Sequence, residues 1–202
     1  MTRPDLERWN RRFAEEGYLF GEAPNRFLAD QAAALPPGRA LCVADGEGRN
    51  GVWLAEQGWQ VVSLDFSDVA QRKAADLAAR RGVTLHLVQA DVHSWDYPPD
   101  AFDLVADIFS QFSAPDDRAL KWNGMARALR PGGHLILQGY TADQLRHGTG
   151  GPREAAQLYT EDMLRSAFAE FDILHLEAAE TVLDEGPGHS GLSAVIGLLA
   201  RR

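Results

Sequence analysis

An open α/β sheet of seven strands, mostly parallel, covered by helices on both faces and ending in a C-terminal antiparallel hairpin, is the fold class the sequence predicts. Two observations carry it. Through residues 39–140, short β-branched apolar runs alternate with helix-length segments, the pattern of strands buried on both faces by crossover helices. Near the end, two further apolar runs are separated only by Gly186-Pro187-Gly188-His189, and so short a connection admits only an antiparallel pair.

Taken in order, residues 1–36 are expected to form a helical lid. Leu6, Trp9 and Phe13, then Phe27, Leu28 and Ala32, recur at helical spacing on either side of the loop GYLFGEAPN, and Pro36-Pro37-Gly38 breaks the pattern. The body, residues 37–202, opens with strand RALCVA, a glycine loop and helix GVWLAEQ. Strand QVVSLDF, helix SDVAQRKAADLAARRG and strand VTLHLVQAD follow. FDLVADIF is the fourth strand, PDDRALKWNGMARAL a helix, Pro131-Gly132-Gly133 a turn, and HLILQGY the fifth strand. Helix YTEDMLRSAFAEF leads into the hairpin strands DILHLEAAETVLDE and GLSAVIGLLARR.

The chain of 202 residues, 45% hydrophobic, can bury the core of one domain, and residues 1–202 are read as one. Against 29 acidic residues stand 20 Lys and Arg, a net charge of −9, which opposes nucleic acid as a partner. The first residues are charged throughout, and no apolar run approaches the ~20 residues that span a bilayer. No membrane partner is expected, and the location is expected to be cytoplasmic. Cys42, alone in an apolar run, is read as a small buried thiol; it supports neither an intrachain disulfide nor a Cys-rich metal site, and no metal is expected.

In an open α/β sheet, ligands bind beyond the carboxyl ends of the strands, where strand order reverses. After the first strand comes Ala44-Asp45-Gly46-Glu47-Gly48, where missing side chains bring backbone N–H groups close to a ligand, and Arg49-Asn50 open the next helix. Asp65 follows the second strand, 19 residues beyond Gly46, and an ionised carboxylate there can accept from both hydroxyls of a ribose; capping of the next helix is the alternative, a role Ser67 can also fill. Asp91-Val92 follow the third strand, and Asp107-Ile108-Phe109-Ser110 the fourth. Gly46 to Gly51 satisfies G-x-G-x-x-G, a dinucleotide pattern. A ring of carboxylates, however, repels the pyrophosphate of NAD and tolerates a cationic sulfonium.

These residues resemble the class I S-adenosylmethionine-dependent methyltransferases, with their Rossmann-like fold, and within them the small-molecule branch that includes tellurite-resistance and thiopurine-type enzymes. The likeness rests on GEGRNGVWLAEQGWQVVSLDFS, ADVHSW, FDLVADIFSQF, ARALRPGGHLILQGY and the hairpin. It implies S-adenosyl-L-methionine as cofactor. By that resemblance, the loop with Ala44, Gly46, Gly48 and Asn50 lies under the methionine part, and Asp65 and Ser67 sit at the ribose. Asp91 faces the adenine amino group, and Val92 and Phe66 line the ring. Asp107, Ile108 and Phe109 flank the methyl. Trp9, Tyr18 and Phe20 match a lid over cofactor and substrate. The acid-x-glycine that usually leads into the loop is replaced by Cys42 and Ala44, so Asp45 or Glu47 is expected to meet the methionine ammonium instead. Gly51 is read as serving helix packing alone.

The implied reaction is in-line methyl transfer to a small-molecule nucleophile, for which the protein chiefly supplies positioning in a dry pocket. A thiol or chalcogen anion needs no base; an oxygen or amine acceptor does. His147 and Tyr140 are the candidate catalytic residues, and Trp9, Phe20, Tyr140, His147 and Tyr159 the candidate substrate wall, with residues 140–159 as the acceptor loop. His189, also a possible base, is read as a turn residue. DYPPD, residues 96–100, has the composition of the Asx-Pro-Pro-aromatic tetrapeptide of amino-group methylases but the wrong order and precedes the fourth strand, which removes support for nucleobase N-methylation. An NAD-linked oxidoreductase and a non-catalytic cofactor-binding module are the alternatives.

Overall fold

The computed structural model describes residues 2–202; Met1, the first residue of the expected lid, lies outside the described residues. Two lid helices, α1 (Arg3–Phe13) and α2 (Arg26–Ala32), precede the sheet. The sheet strands are β1 (Arg39–Val43), β2 (Gln60–Asp65), β3 (His86–Gln89), β4 (Phe102–Ile108), β5 (Leu129–Tyr140), β6 (Asp172–Asp184) and β7 (Ser190–Arg201). Between them lie α3 (Arg49–Glu56), α4 (Asp68–Arg81), α5 (Pro115–Ala128) and α6 (Glu161–Ala167). The seven strands run in the order β3-β2-β1-β4-β5-β7-β6, with β7 antiparallel to both β5 and β6. The expected mostly parallel sheet with its C-terminal hairpin is therefore present, and strand order reverses between β1 and β4.

Local chemistry sets the helix ends that matter for the site. Ser67 caps α4 by accepting the Ala70 N–H at 3.1 Å, and Gly82 closes the helix in the left-handed region at φ 69°. Pro115 opens α5, and Asp116 and Asp117 favour the positive end of its dipole. Apolar residues pack on both faces. Leu41, Val105, Leu135 and Ile196 join α5 and α6 in one cluster, while Ala40, Leu104 and Ile136 meet α2 and α3 in the other. Cys42 is a free thiol, 2% exposed in β1.

The expected Pro131-Gly132-Gly133 turn is corrected. These residues lie inside β5 as an irregularity: Phe102 pairs with Leu129, whereas Leu104 pairs with His134. Gly132 takes φ 81°, and its N–H donates to the Arg202 carbonyl at 2.7 Å, so Arg202 holds the kink. The third strand is only His86–Gln89, shorter than VTLHLVQAD. Among the described residues no helix is long and apolar enough to cross a membrane.

Candidate functional site

A chamber lies over the carboxyl ends of β1, β2 and β4, beside the reversal of strand order, and is lined there by Ala44–Glu47, Asp65, Phe66 and Ile108–Ser110. The glycine loop turns by leaving ordinary backbone space: Ala44, Gly46 and Gly48 have φ of 51°, 59° and 85°. The strain at Ala44 is held by the Asp45 N–H, which donates to the Leu64 carbonyl at 3.1 Å. Asp65 supports the loop from β2, its two oxygens accepting the Gly46 and Ser67 N–H groups, each at 2.9 Å. Burial raises its carboxyl to about 6 despite those two hydrogen bonds.

The two loop acids divide. Asp45 accepts from Ser63 Oγ at 2.7 Å and from the Gly51 N–H at 3.2 Å, and burial raises its carboxyl. A side chain at Gly51 would collide with that carboxylate, so Gly51 makes room for Asp45 as well as for the helix, a correction to its assignment to packing alone. Glu47 accepts the Leu19 N–H at 2.7 Å and pairs with Lys73 Nζ at 2.8 Å, so it anchors the lid. Leu19 is held from its other side too, its carbonyl accepting the Gly188 N–H at 2.8 Å.

Trp9, Phe13 and Phe20 form the lid wall of the chamber; Trp9 stacks on Phe13 at 5.4 Å between centroids. Asn50 also lines the chamber, while its Oδ1 accepts the Asn25 N–H at 2.9 Å. Other residues expected at the cofactor are not among those that line this chamber. Tyr18 lies against α4, its hydroxyl donating to the Lys73 carbonyl at 3.0 Å. Ser67 is spent as the α4 cap and as a donor to Asn10 of the lid at 2.5 Å. Gly48 packs against Ala74, and Val92 belongs to the core. Asp91 accepts the His93 N–H at 2.9 Å. Asp107 is 1% exposed beneath the chamber, paired with buried Lys121 at 3.1 Å and bonded to Ser110.

A second chamber of about 550 Å³ adjoins the first and shares Trp9, Phe20, Phe109, Phe112 and His189 with it. Tyr140 and residues 150–154, part of the expected acceptor loop, line it. Two expected wall residues are absent from its lining. Tyr159 is buried against Trp122 at 5.3 Å between centroids, and His147 pairs outward with Glu180 at 2.9 Å.

His189 is more than a turn residue. It is 7% exposed and wedged between Phe20 at 4.5 Å and Phe109 at 4.4 Å between centroids. Burial, followed by the charges of Arg49 and Arg12, holds its ring down to about 3, so it is neutral. Its Nδ1, the Tyr140 hydroxyl and Arg49 Nη1 are buried without a hydrogen-bond partner. Such atoms cost ~1–3 kcal/mol each when left unpaired, and they lie on the walls of the two chambers. Phe109, which both chambers share, carries strain at φ 54°. Hairpin turn signals hid His189 in the sequence; only the pairing of β6 with β7 beside β5 brings it over β4.

Residues 40–133 match the methyltransferase domain family. They are a methyltransferase domain. Thiocyanate methyltransferase 1 of Brassica oleracea is 33% identical over 137 residues, covering 66% of this chain and 59% of the relative. The chain spans about half the length of the curated relatives it matches, from 41% to 59%. A solved structure from work on conversion of a disulfide bond into a thioacetal group during echinomycin biosynthesis is 23% identical, with TM-score 0.77 over 98% of this chain and 93% of that one. The Burkholderia thailandensis 1,6-didemethyltoxoflavin-N1-methyltransferase, solved with 1,6-didemethyltoxoflavin and S-adenosylhomocysteine, is 23% identical, with TM-score 0.66 over 87% of this chain and 76% of that one. Both share the fold.

Within the methyltransferase domain, a relay absent from the sequence expectations links two site loops. Asp91 lies 3.2 Å from His93 Nδ1, and His93 Nε2 lies 2.7 Å from Ser113 Oγ. The connectivity is that of a hydrolytic triad, but Ser113 is 3% exposed at the start of α5, so the relay positions the Phe109–Ser113 loop rather than a nucleophile.

Proposed function

We propose that the protein transfers the methyl group of S-adenosyl-L-methionine to a small-molecule nucleophile by in-line displacement. The observation that carries this reading is Asp65, whose carboxylate lines the chamber at the end of β2 while bonded to the amide of Gly46 in the glycine loop. The donor set fits the cofactor. Asp65 would accept from the ribose hydroxyls, the backbone of Ala44–Gly46 would flank the methionine part, and Phe66 and Ile108 would contact the ring. Of the two loop acids, Glu47 is neutralised by Lys73, which leaves Asp45 to meet the ammonium. Arg49 Nη1 suits the amino-acid carboxylate. Bound there, the cofactor supplies an electrophilic methyl group. The inner chamber measures about 70 Å³, below the ~300–1,000 Å³ of small-molecule sites, so this chamber would have to widen to admit the whole cofactor.

On the acceptor side, neutral His189 is a weak base, and burial raises the Tyr140 hydroxyl above its ordinary range. Neither takes a proton from an alcohol or ammonium near neutrality. This favours an acceptor that arrives deprotonated, a thiol or chalcogen anion, and a site without a general base.

The test is a binding and turnover pair. S-adenosylhomocysteine at about 100 times its dissociation constant should stabilise the protein by about 2.7 kcal/mol, with no rise in melting temperature from NAD. Methyl transfer to a panel of thiols and chalcogen anions should follow. Stabilisation by NAD alone would reverse the assignment, and binding without turnover of any acceptor would leave a cofactor-binding module.

A further inference from the structure

The second chamber has a charge character opposite to that of the chain. Against the net charge of −9, its rim carries Arg8, Arg12 and Arg153 with only Asp5 and Glu154. Arg8 is already paired, 3.3 Å from Asp5. Arg12 and Arg153 make no ion pair among the described residues. The Arg12 guanidinium lies 4.7 Å from the Trp9 ring centroid and 5.9 Å from that of Phe20, half-buried over the aromatic wall. Burial, then the nearby Arg8 charge, works against its cation, and the Glu15 charge favours it. A half-buried guanidinium held on two aromatic faces, with no carboxylate in ion-pair contact among the described residues, is pre-oriented for an anion from outside the protein.

Another part of the chamber wall is built differently. There the Tyr140 hydroxyl and His189 Nδ1 are buried and unpartnered, and both rings contact Phe109. Trp9, Phe20, Phe109 and Phe112 add aromatic wall, and a volume of about 550 Å³ falls within the ~300–1,000 Å³ of small-molecule sites.

We propose that the acceptor is a planar aromatic molecule bearing an anionic substituent, its charge held by Arg12 with Arg153, its ring lying among Trp9, Phe20, Phe109 and Phe112, and its reacting atom at Tyr140 and His189. This rests on the methyl-transfer reading and names the substrate class within it. The reacting atom arrives already deprotonated, as a thiolate or chalcogen anion; its lone pair forms the new bond to the methyl carbon while the carbon–sulfur electrons return to the cofactor sulfur, and no proton is released in the step.

The experiment reads binding, so it does not depend on turnover. S-adenosylhomocysteine is titrated first into wild-type protein, and failure there counts against the methyl-transfer reading alone. Three probes are then titrated calorimetrically into protein with and without it: 4-mercaptobenzoate, its methyl ester, and mercaptoacetate, which has the charge without the ring. The expected result is that 4-mercaptobenzoate binds at least about tenfold more tightly than either of the others. Arg12→Gln should abolish most of that preference and Arg153→Gln part of it, while Arg12→Lys, which keeps the charge, should retain much of it. Equal affinities, no binding of any probe, or a preference unmoved in both glutamine variants would overturn the proposal. Circular dichroism of Arg12→Gln guards against a folding defect, and if that variant fails to fold, the Arg153→Gln and ester comparisons decide.

Discussion

Arg49 and Glu185 form a buried ion pair: Nη2 of the first lies 2.8 Å from Oε2 of the second, with side chains 6% and 9% exposed. The pair joins the opening of α3 to the tip of the C-terminal hairpin, and Glu185 also accepts from Asn25 Nδ2 at 3.0 Å. One carboxylate thereby fastens the glycine loop, the lid and the hairpin together. Glu185→Ala leaves the Arg49 charge buried without its partner and should cost about 3–5 kcal/mol in denaturant unfolding. Arg49→Leu/Glu185→Leu should cost clearly less than the sum of the single leucine changes; additivity would mean that the pair carries no coupling.

The Leu19 N–H on Glu47 gives a separate expectation. Because Glu47 is also bonded to Lys73, Glu47→Gln keeps the shape and removes the ion pair, and should destabilise by about 1–3 kcal/mol. The loss should be local. Limited proteolysis should cut residues 14–21 faster in the variant, with the sheet still protected from hydrogen exchange; uniform loss of protection would argue against a lid anchor.

Two glycines with left-handed backbone separate conformation from packing. Gly82, at φ 69°, faces open space, so Gly82→Ala should cost only the backbone term of about 1–2 kcal/mol. Gly48, at φ 85°, would bring a new Cβ to 2.6 Å from the Ala74 Cβ, so Gly48→Ala should cost a further ~1–3 kcal/mol for overpacking between loop and α4. Equal unfolding free energies for the two variants would show that α4 moves aside freely.

Periodicity made the strands and helices legible because each is a local pattern of burial, and the short Gly186–His189 connection made the hairpin legible for the same local reason. The glycine loop and Asp65 were legible because a strand end fixes where its next residues point. What escaped depended on partners distant in sequence. No local pattern shows that Glu47 meets Lys73 and Leu19, that Asp107 pairs with buried Lys121, or that the sheet order sets His189 against Phe109. The lid residues divide likewise: Trp9 and Phe20 face the chamber, whereas Tyr18 points to α4 because its hydroxyl finds the Lys73 carbonyl.

Asp65 gives the site a pH dependence of defined sign. Burial places its carboxyl at about 6, above the ordinary value of 3.8. The proton is therefore held more tightly in the folded protein than in the unfolded chain. This group's contribution to stability is complete below the unfolded value and is lost as pH rises through about 6. The free protein thus holds a destabilised carboxylate at neutral pH. A ligand whose hydroxyls donate to that carboxylate favours its ionised form, so binding should release a proton and strengthen as pH rises through about 6. Titration calorimetry with S-adenosylhomocysteine at about pH 5 and about pH 7.5, in buffers of different ionisation enthalpy, reads both affinity and proton release. Asp65→Asn should weaken binding at the higher pH by roughly tenfold or more and flatten the profile, since a neutral amide neither titrates nor accepts two strong hydrogen bonds. Wild-type affinity that stays flat across this range would remove Asp65 from the ribose hydroxyls.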